Sequence, residues 1–264
     1  MRNVLFFVLM LSSIVVLSVH AKKNRYEDVD SLPKGMKNYV EDIKNLNLKM
    51  VYVKGGPFIM GNTSEEGGYS DERPVAEINL EPYYIAAFEI TQKQWEAIMN
   101  RGIKIEEGGN FPITNVSWND AVLFCEKLSQ LTGKKYQLPT EEQWEYAALD
   151  GKTIEKCYSG GSNIDKVAWY SLNSEGEVHP VGLKKPNKLG LYDMSGNVYE
   201  WCVDNYISYI KKYKSEYKSE IGNYKVLRGG CWNDNASKCR ATYRTYEISS
   251  CANNKIGFRV VCMP

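Results

Sequence analysis

Gly190-Leu191-Tyr192-Asp193-Met194-Ser195-Gly196-Asn197-Val198-Tyr199-Glu200-Trp201 is the stretch on which the reading of this chain turns. It opens with a glycine, a short apolar pair and an aromatic, then passes through Ser195-Gly196-Asn197, residue types that favour tight turns. Asp193 and Glu200 bracket the turn, and carboxylates so placed cap it by accepting backbone hydrogen bonds. No helical period runs through it.

Working outward, the same character continues downstream in Val226-Leu227-Arg228-Gly229-Gly230 and Gly257-Phe258-Arg259-Val260. Residues 206–224, between the opening stretch and Val226, are rich in Tyr, Lys and Ser without period, which reads as a solvated excursion. Upstream the signals are helical. Thr91 with Gln94 and Thr140 with Gln143 are capping boxes, and Ser117 followed by Asp120 is a looser version. The helix after Ser117 carries Val122, Phe124, Cys125, Leu128 and Leu131 and stops at Thr132-Gly133. Before these helices lie strand candidates: Met50 to Val53, Phe58 to Met60, and Val75 to Glu89 interrupted by Pro82. Glu65 to Glu72 reads as a polar loop. Residues 22–47 form a polar extension, in which Met36, Tyr39, Val40, Ile43 and Leu46 recur at helical spacing and predict a short helix. No repeat of 20–50 residues is present. The class is α+β with much irregular loop structure, one domain running over 48–264.

Residues 1–21 read as a cleaved secretory signal: Arg2, an apolar run from Val4 to Val19, then Val19-His20-Ala21. The run is short for a membrane span, so no stable span is expected after cleavage, and the expected location is secreted or periplasmic. Loss of Arg2 leaves 32 basic against 32 acidic residues, so charge offers no reason to expect nucleic acid. Of the two histidines only His179 remains, which excludes a multi-histidine metal site. All seven cysteines lie in the mature chain, none in a CxxC pair, so a structural zinc site has weak support. Their odd number leaves at least one thiol free, reactive or paired between chains.

The chain resembles the formylglycine-generating enzyme (sulfatase-modifying factor) family, whose fold is a variant of the C-type lectin fold. The likeness rests on Gly55-Gly56-Pro57-Phe58-Ile59-Met60-Gly61, Glu89-Ile90-Thr91-Gln92, Val116-Ser117-Trp118, Leu138-Pro139-Thr140-Glu141 through Trp144-Glu145-Tyr146-Ala147, the Gly190–Trp201 stretch, Arg228-Gly229-Gly230 and Gly257-Phe258-Arg259, in that order. Enzymes of the family oxidise a cysteine of a target sulfatase with copper held by two thiolates. Soft thiolates suit Cu(I). Here Asp234 stands at the first ligand position, and Cys239 reaches the second only without a gap, so the catalytic pair is broken. The resemblance therefore implies a non-catalytic binding or accessory module. Its alternative is a copper-dependent oxidase that makes formylglycine, with Cys239 as the surviving ligand and Arg244 near the peptide groove. A rearranged Cys231–Cys239 pair has the wrong spacing.

Other expectations also follow from the resemblance. Calcium-binding members imply Asp193 and Glu200 as side-chain ligands, with Gly196 and Val198 giving carbonyl oxygens, a hard-oxygen set that suits Ca²⁺; the alternative is the capping role above. Independently of the resemblance, six of the seven cysteines allow about 15 pairings, and among these Cys125 with Cys262 and Cys202 with Cys239 are the expected disulfides. Iron-binding members use histidines, which this chain lacks. Relatives with a diversified ligand-binding surface imply such a surface at Trp232, Asn233, Asn235, Tyr243, Arg244 and Tyr246, its ligand an unidentified protein or peptide. Aromatics supply rigid contact area there, and Asn and Arg supply adaptable hydrogen bonds.

Overall fold

Three polar caps start the long helices for one physical reason. Thr91, Ser117 and Thr140 each accept a hydrogen bond from the amide three residues on, and the side chain at that position returns a bond to the cap amide. The helices are α1 (Gln92–Met99), α2 (Trp118–Thr132) and α3 (Glu141–Ala148). Ser117 and Asp120 form a complete box rather than a loose one, and α2 stops at Gly133 in the left-handed conformation. A single turn, α4 (Ile164–Val167), follows. The computed structural model describes residues 36–64, 68–151, 157–207, 209 and 223–264. The secretory signal, most of the polar extension, residues 65–67 of the polar loop and nearly all of the 206–224 excursion lie outside the described residues.

The strands are β1 (Tyr39–Glu41), β2 (Leu48–Val53), β3 (Gly56–Met60), β4 (Ala76–Leu80), β5 (Tyr83–Ala86), β6 (Tyr136–Gln137), β7 (Tyr199–Asn205), β8 (Tyr224–Arg228), β9 (Arg244–Ile248), β10 (Ile256–Gly257) and β11 (Val261–Cys262). One sheet has the order β1-β2-β5-β11-β6, a second β10-β7-β8-β9, and β3 pairs with β4. The last strand thus sits inside the first sheet, between β5 and β6. Both faces of that sheet are covered, which is why β2 reads as a nearly unbroken apolar run. Met50 and Tyr52 face one core with Trp95, Phe124, Leu128 and Phe258; Val51 and Val53 face another with Ile85, Trp144, Tyr146 and Val261. Trp95 stacks on Phe124 at 5.7 Å, and Phe258 meets Phe124 edge-on at 5.3 Å.

Two expectations are corrected. The helix expected around Met36 to Leu46 is instead β1, paired with β2 through Tyr39↔Met50 and Glu41↔Leu48, followed by a 3₁₀ turn at Ile43–Asn45. Pairing gives β2 a partner on its outer edge, and positive φ at Lys44, Asn45 and Asn47 stops any helix there. The apolar residues that mimic a helical stripe pack on the first core from strand and turn.

The expected disulfides are not formed, and all seven cysteines are free thiols. Cys125 and Cys262 are packed in the first core as apolar side chains, and the Cys262 thiol donates to the Met263 carbonyl. Cys202 lies in the second core, whereas Cys239 packs against Gly230. A thiol-reactive dye is therefore expected to label the exposed Cys157 at once, the half-buried Cys251 more slowly, and the five buried thiols only after unfolding; a native count of two by absorbance checks this.

The turn of the opening stretch has one position that only glycine fits. Gly196 has φ +77°, and a Cβ there would run into the Trp169 carbonyl. Gly196→Ala is expected to lose at least about 2 kcal/mol in urea unfolding.

Candidate functional site

The turn 193–200 is held from three sides. The Gly196 amide donates to the Gly229 carbonyl at 2.8 Å and the Asn197 amide to the Trp169 carbonyl at 2.9 Å. Glu89, wholly buried before α1, accepts from Asn197 Nδ2 at 2.6 Å and from the Val198 amide at 3.1 Å. Glu200, in β7, takes Arg259 in a bidentate pair, Nε to Oε2 and Nη2 to Oε1 both at 2.7 Å, and a further bond from Trp144 Nε1 at 2.7 Å. Arg259 also donates through Nη1 to the Ala86 carbonyl and through Nη2 to the Tyr192 carbonyl.

This geometry decides the calcium expectation. Both oxygens of Glu200 are committed to a guanidinium. Asp193 accepts from the Gly182 amide through Oδ2 at 2.7 Å and keeps only Oδ1 without a hydrogen-bond partner. Gly196 and Val198 serve the turn through their amides. Calcium takes 6–8 oxygen ligands, commonly with several carboxylates. Among the described residues no group of three or more His, Cys, Asp or Glu side chains could hold a metal ion. As the chain stands, Glu200 holds Arg259 and Asp193 holds the Gly182 amide, which is the capping role named as the alternative to calcium.

The C-terminal loop leaves β8 through Gly229 and Gly230. Asp234 is locked: its Oδ2 accepts from the Cys231 amide and thiol at 3.2 and 3.1 Å, Oδ1 pairs with Lys238 at 3.2 Å, and the Tyr199 hydroxyl also hydrogen-bonds to it. Burial pushes the Cys239 thiol up to about 12 and the Cys231 thiol higher still, with Asp234 adding to both. A buried thiol on a short 3₁₀ turn, beside a carboxylate already in use, does not fit a two-thiolate Cu(I) centre.

The six residues expected to form a ligand surface divide. Asn233, Asn235 and Tyr246 are exposed, and Trp232 is half-buried, with its Nε1 donating to the Asn254 carbonyl at 3.2 Å. Tyr246 stands on β9 with Tyr206 and Tyr224 at 4.4 and 5.1 Å. Tyr243 and Arg244 point inward and are corrected. Tyr243 is buried against Tyr69, and Arg244 makes a fully buried bidentate pair with Glu141 at 2.7 and 2.8 Å. Three further surface residues escaped the sequence reading. Tyr69 bonds to Ser237, Leu172 is 83% exposed beside the backbone that bonds Asp234, and Lys238 pairs with that residue. Leu172 carries a signal, an isolated large apolar residue among polar ones; Tyr69 carries none.

Around the turn, three buried carboxylates (Glu89, Asp193 and Glu200) face one arginine. Burial raises Glu89 well above the carboxylate range and pushes Asp193 up to about 6. From about pH 4 to about pH 6 the folded chain keeps a proton that unfolded Asp193 has lost, so this contribution to stability falls as pH rises across that window. Asp193→Asn keeps the acceptor for Gly182 and is expected to flatten that decline, read as melting temperature against pH.

The model of the sulfatase-modifying factor enzyme 1-like domain matches residues 37–263. Chaperone protein LppX of Paenibacillus barcinonensis is 29% identical over 245 residues, covering 74% of this chain and 82% of that protein. Serine/threonine-protein kinase pkn1 of Chlamydia caviae is 32% identical over 259 residues, but the chain spans only 40% of its length. The inactive C-alpha-formylglycine-generating enzyme 2 of Bos taurus is 27% identical, with 80% of this chain and 87% of that protein covered. Among solved structures, Treponema denticola variable protein 1 aligns with a TM-score of 0.74 and 27% identity, over 86% of this chain and 99% of that one. With the match running through both sheets, all three capped helices and the Glu200–Arg259 turn, the chain belongs to the formylglycine-generating enzyme family and has its C-type lectin-like α+β fold.

Proposed function

We propose that this chain is an exported, non-catalytic binding or accessory module of its family, which meets a protein or peptide ligand through its C-terminal loops. One observation carries the reading: at the place where family oxidases hold copper, Asp234 is locked by Cys231, Lys238 and Tyr199, and Cys239 is a buried thiol. Around that locked centre, Trp232, Asn233 and Asn235 stand on the outer loop, with Leu172 and Tyr69 beside them. Such a mixture of aromatic area and amide groups suits protein recognition. The bovine relative named as an inactive formylglycine-generating enzyme is consistent with a loss of catalysis within the family. Export rests on the N-terminal leader. Among the described residues no helix is long and apolar enough to cross a membrane.

The test is direct. Full-length protein is incubated with copper, oxygen and a cysteine-containing sulfatase peptide, and aldehyde is trapped with a hydrazide. No aldehyde is expected, and no withdrawal of Cu(I) from a chromogenic chelator. Aldehyde that forms with the natural chain and disappears in Cys239→Ala would sink this reading in favour of the oxidase.

A further inference from the structure

The loop that leaves α1 is built as a rigid wall. Asn100 closes the helix in the left-handed conformation, and the Glu96 carboxylate then accepts from three successive amides, those of Arg101, Gly102 and Ile103, at 3.2, 2.8 and 3.3 Å. Further along, Gln92 and Glu106 clasp each other: Gln92 Nε2 donates to Glu106 Oε1 at 3.1 Å, and the Glu106 amide donates to Gln92 Oε1 at 2.9 Å. The returning strand of the loop is tied by the Ile113 amide to the Ile90 carbonyl and by the Asn115 amide to the Asn253 carbonyl. Between this wall and the first turn of α2 lies a cleft of about 350 Å³. That volume stands at the lower end of small-molecule sites, enough for one ring-sized ligand.

The cleft's charges are even in number and uneven in use. Glu106 is held by Gln92, and Asp120 accepts from the Ser117 amide and hydroxyl and from Arg101 Nη1 at 2.8 Å. On the other side, Lys104 makes no hydrogen bond or ion pair with the described residues, and Arg101 spends only Nη1 of its side-chain donors. Asp120 fixes the guanidinium, which stands 5.7 Å from the Trp95 ring. The unused cationic capacity is Lys104 and the free edge of Arg101; on the acidic side only Glu106 Oε2 has no named partner among the described residues. The remaining lining is mixed: Ile103, Ile113 and Val116 are apolar, and Thr114 and Asn115 are polar.

We propose that this cleft binds a small organic carboxylate with an apolar body. The carboxylate meets Lys104 and the free edge of Arg101, and the body lies against Ile103 and Ile113. Charge-assisted bonds orient the anion, and a bare inorganic anion would leave the apolar wall wet. Because Glu96 and the Gln92–Glu106 clasp already order the loop, little entropy is lost on binding. None of the cleft residues belongs to the loop surface proposed above, so the two readings stand or fall separately.

Phenylacetate is the probe, titrated calorimetrically into the full chain, with neutral phenylacetamide of the same shape as its control. Binding with Kd near or below about 1 mM is expected, weakened about tenfold by Lys104→Gln and by phenylacetamide, and unchanged by Lys238→Gln on the C-terminal loop. Lys104 is exposed, so its substitution leaves the fold intact. Absence of heat up to about 10 mM, equal affinity for phenylacetamide, or full affinity in Lys104→Gln would each overturn the proposal.

Discussion

One buried ion pair, Glu200 with Arg259, holds the rest of the structure in register. Its guanidinium lies just before β11, and its donors reach β7, the end of β5 and the Tyr192 carbonyl ahead of the turn, while Trp144 of α3 completes the carboxylate's shell. Removing two charges from water costs several kcal/mol per ion, offset only where geometry and hydrogen bonding are close to complete. Here every donor of the guanidinium but one N–H has a named acceptor, so the pair is satisfied in one arrangement of four segments. A slip of β7 by one residue would turn Glu200 to the other face.

The same device recurs. Glu145 meets Arg228 and Glu141 meets Arg244, all fully buried, and Arg228 also donates to the Ala241, Thr242 and Tyr243 carbonyls. Glu72 is clasped by Arg240 and Thr242. Glu141, Glu145, Glu200, Arg228 and Arg259 stand within the stretches by which the chain is recognisable, whereas Glu72, Arg240, Thr242 and Arg244 lie outside them. Family likeness in this chain therefore reports internal ion pairs and the turns that carry them. The loop after Gly230 lies outside those stretches, and there the sequence departs from the two-cysteine spacing of the oxidases. A shared frame and a divergent loop are what one fold with several roles requires.

Much of the frame was legible from residue order. The three capped helices were, because a cap and its return partner lie three residues apart and need nothing else. Strands β2 to β5 were, from apolar runs broken by Gly55-Gly56 and Pro82. The stretch from Met36 to Leu46 was misread because apolar spacing there matches a helix, while the open edge of β2 takes the backbone as a strand. The cysteines misled in another way. An exported setting favours bridges, yet Cys125 and Cys262 act as packing residues in one core and Cys202 in the other.

By itself the sequence determined the α+β class, the caps that start the three long helices, the family resemblance and the departure from the family's two-cysteine spacing, since each depends on residue types at short spacing. Only the tertiary structure decided which polar residues are free. Arg244 lies in a Tyr-Arg-Thr-Tyr run that resembles a contact surface, but its partner Glu141 is 103 residues away. Glu200 resembles a metal ligand until Arg259, 59 residues on, takes both oxygens. Lys104, unremarkable in sequence, has no partner among the described residues and lines the cleft that Trp95 also lines. Residue order states which charges exist; folding states which of them are already neutralised, because ion pairing falls off within a few ångströms and chain separation says nothing about that distance.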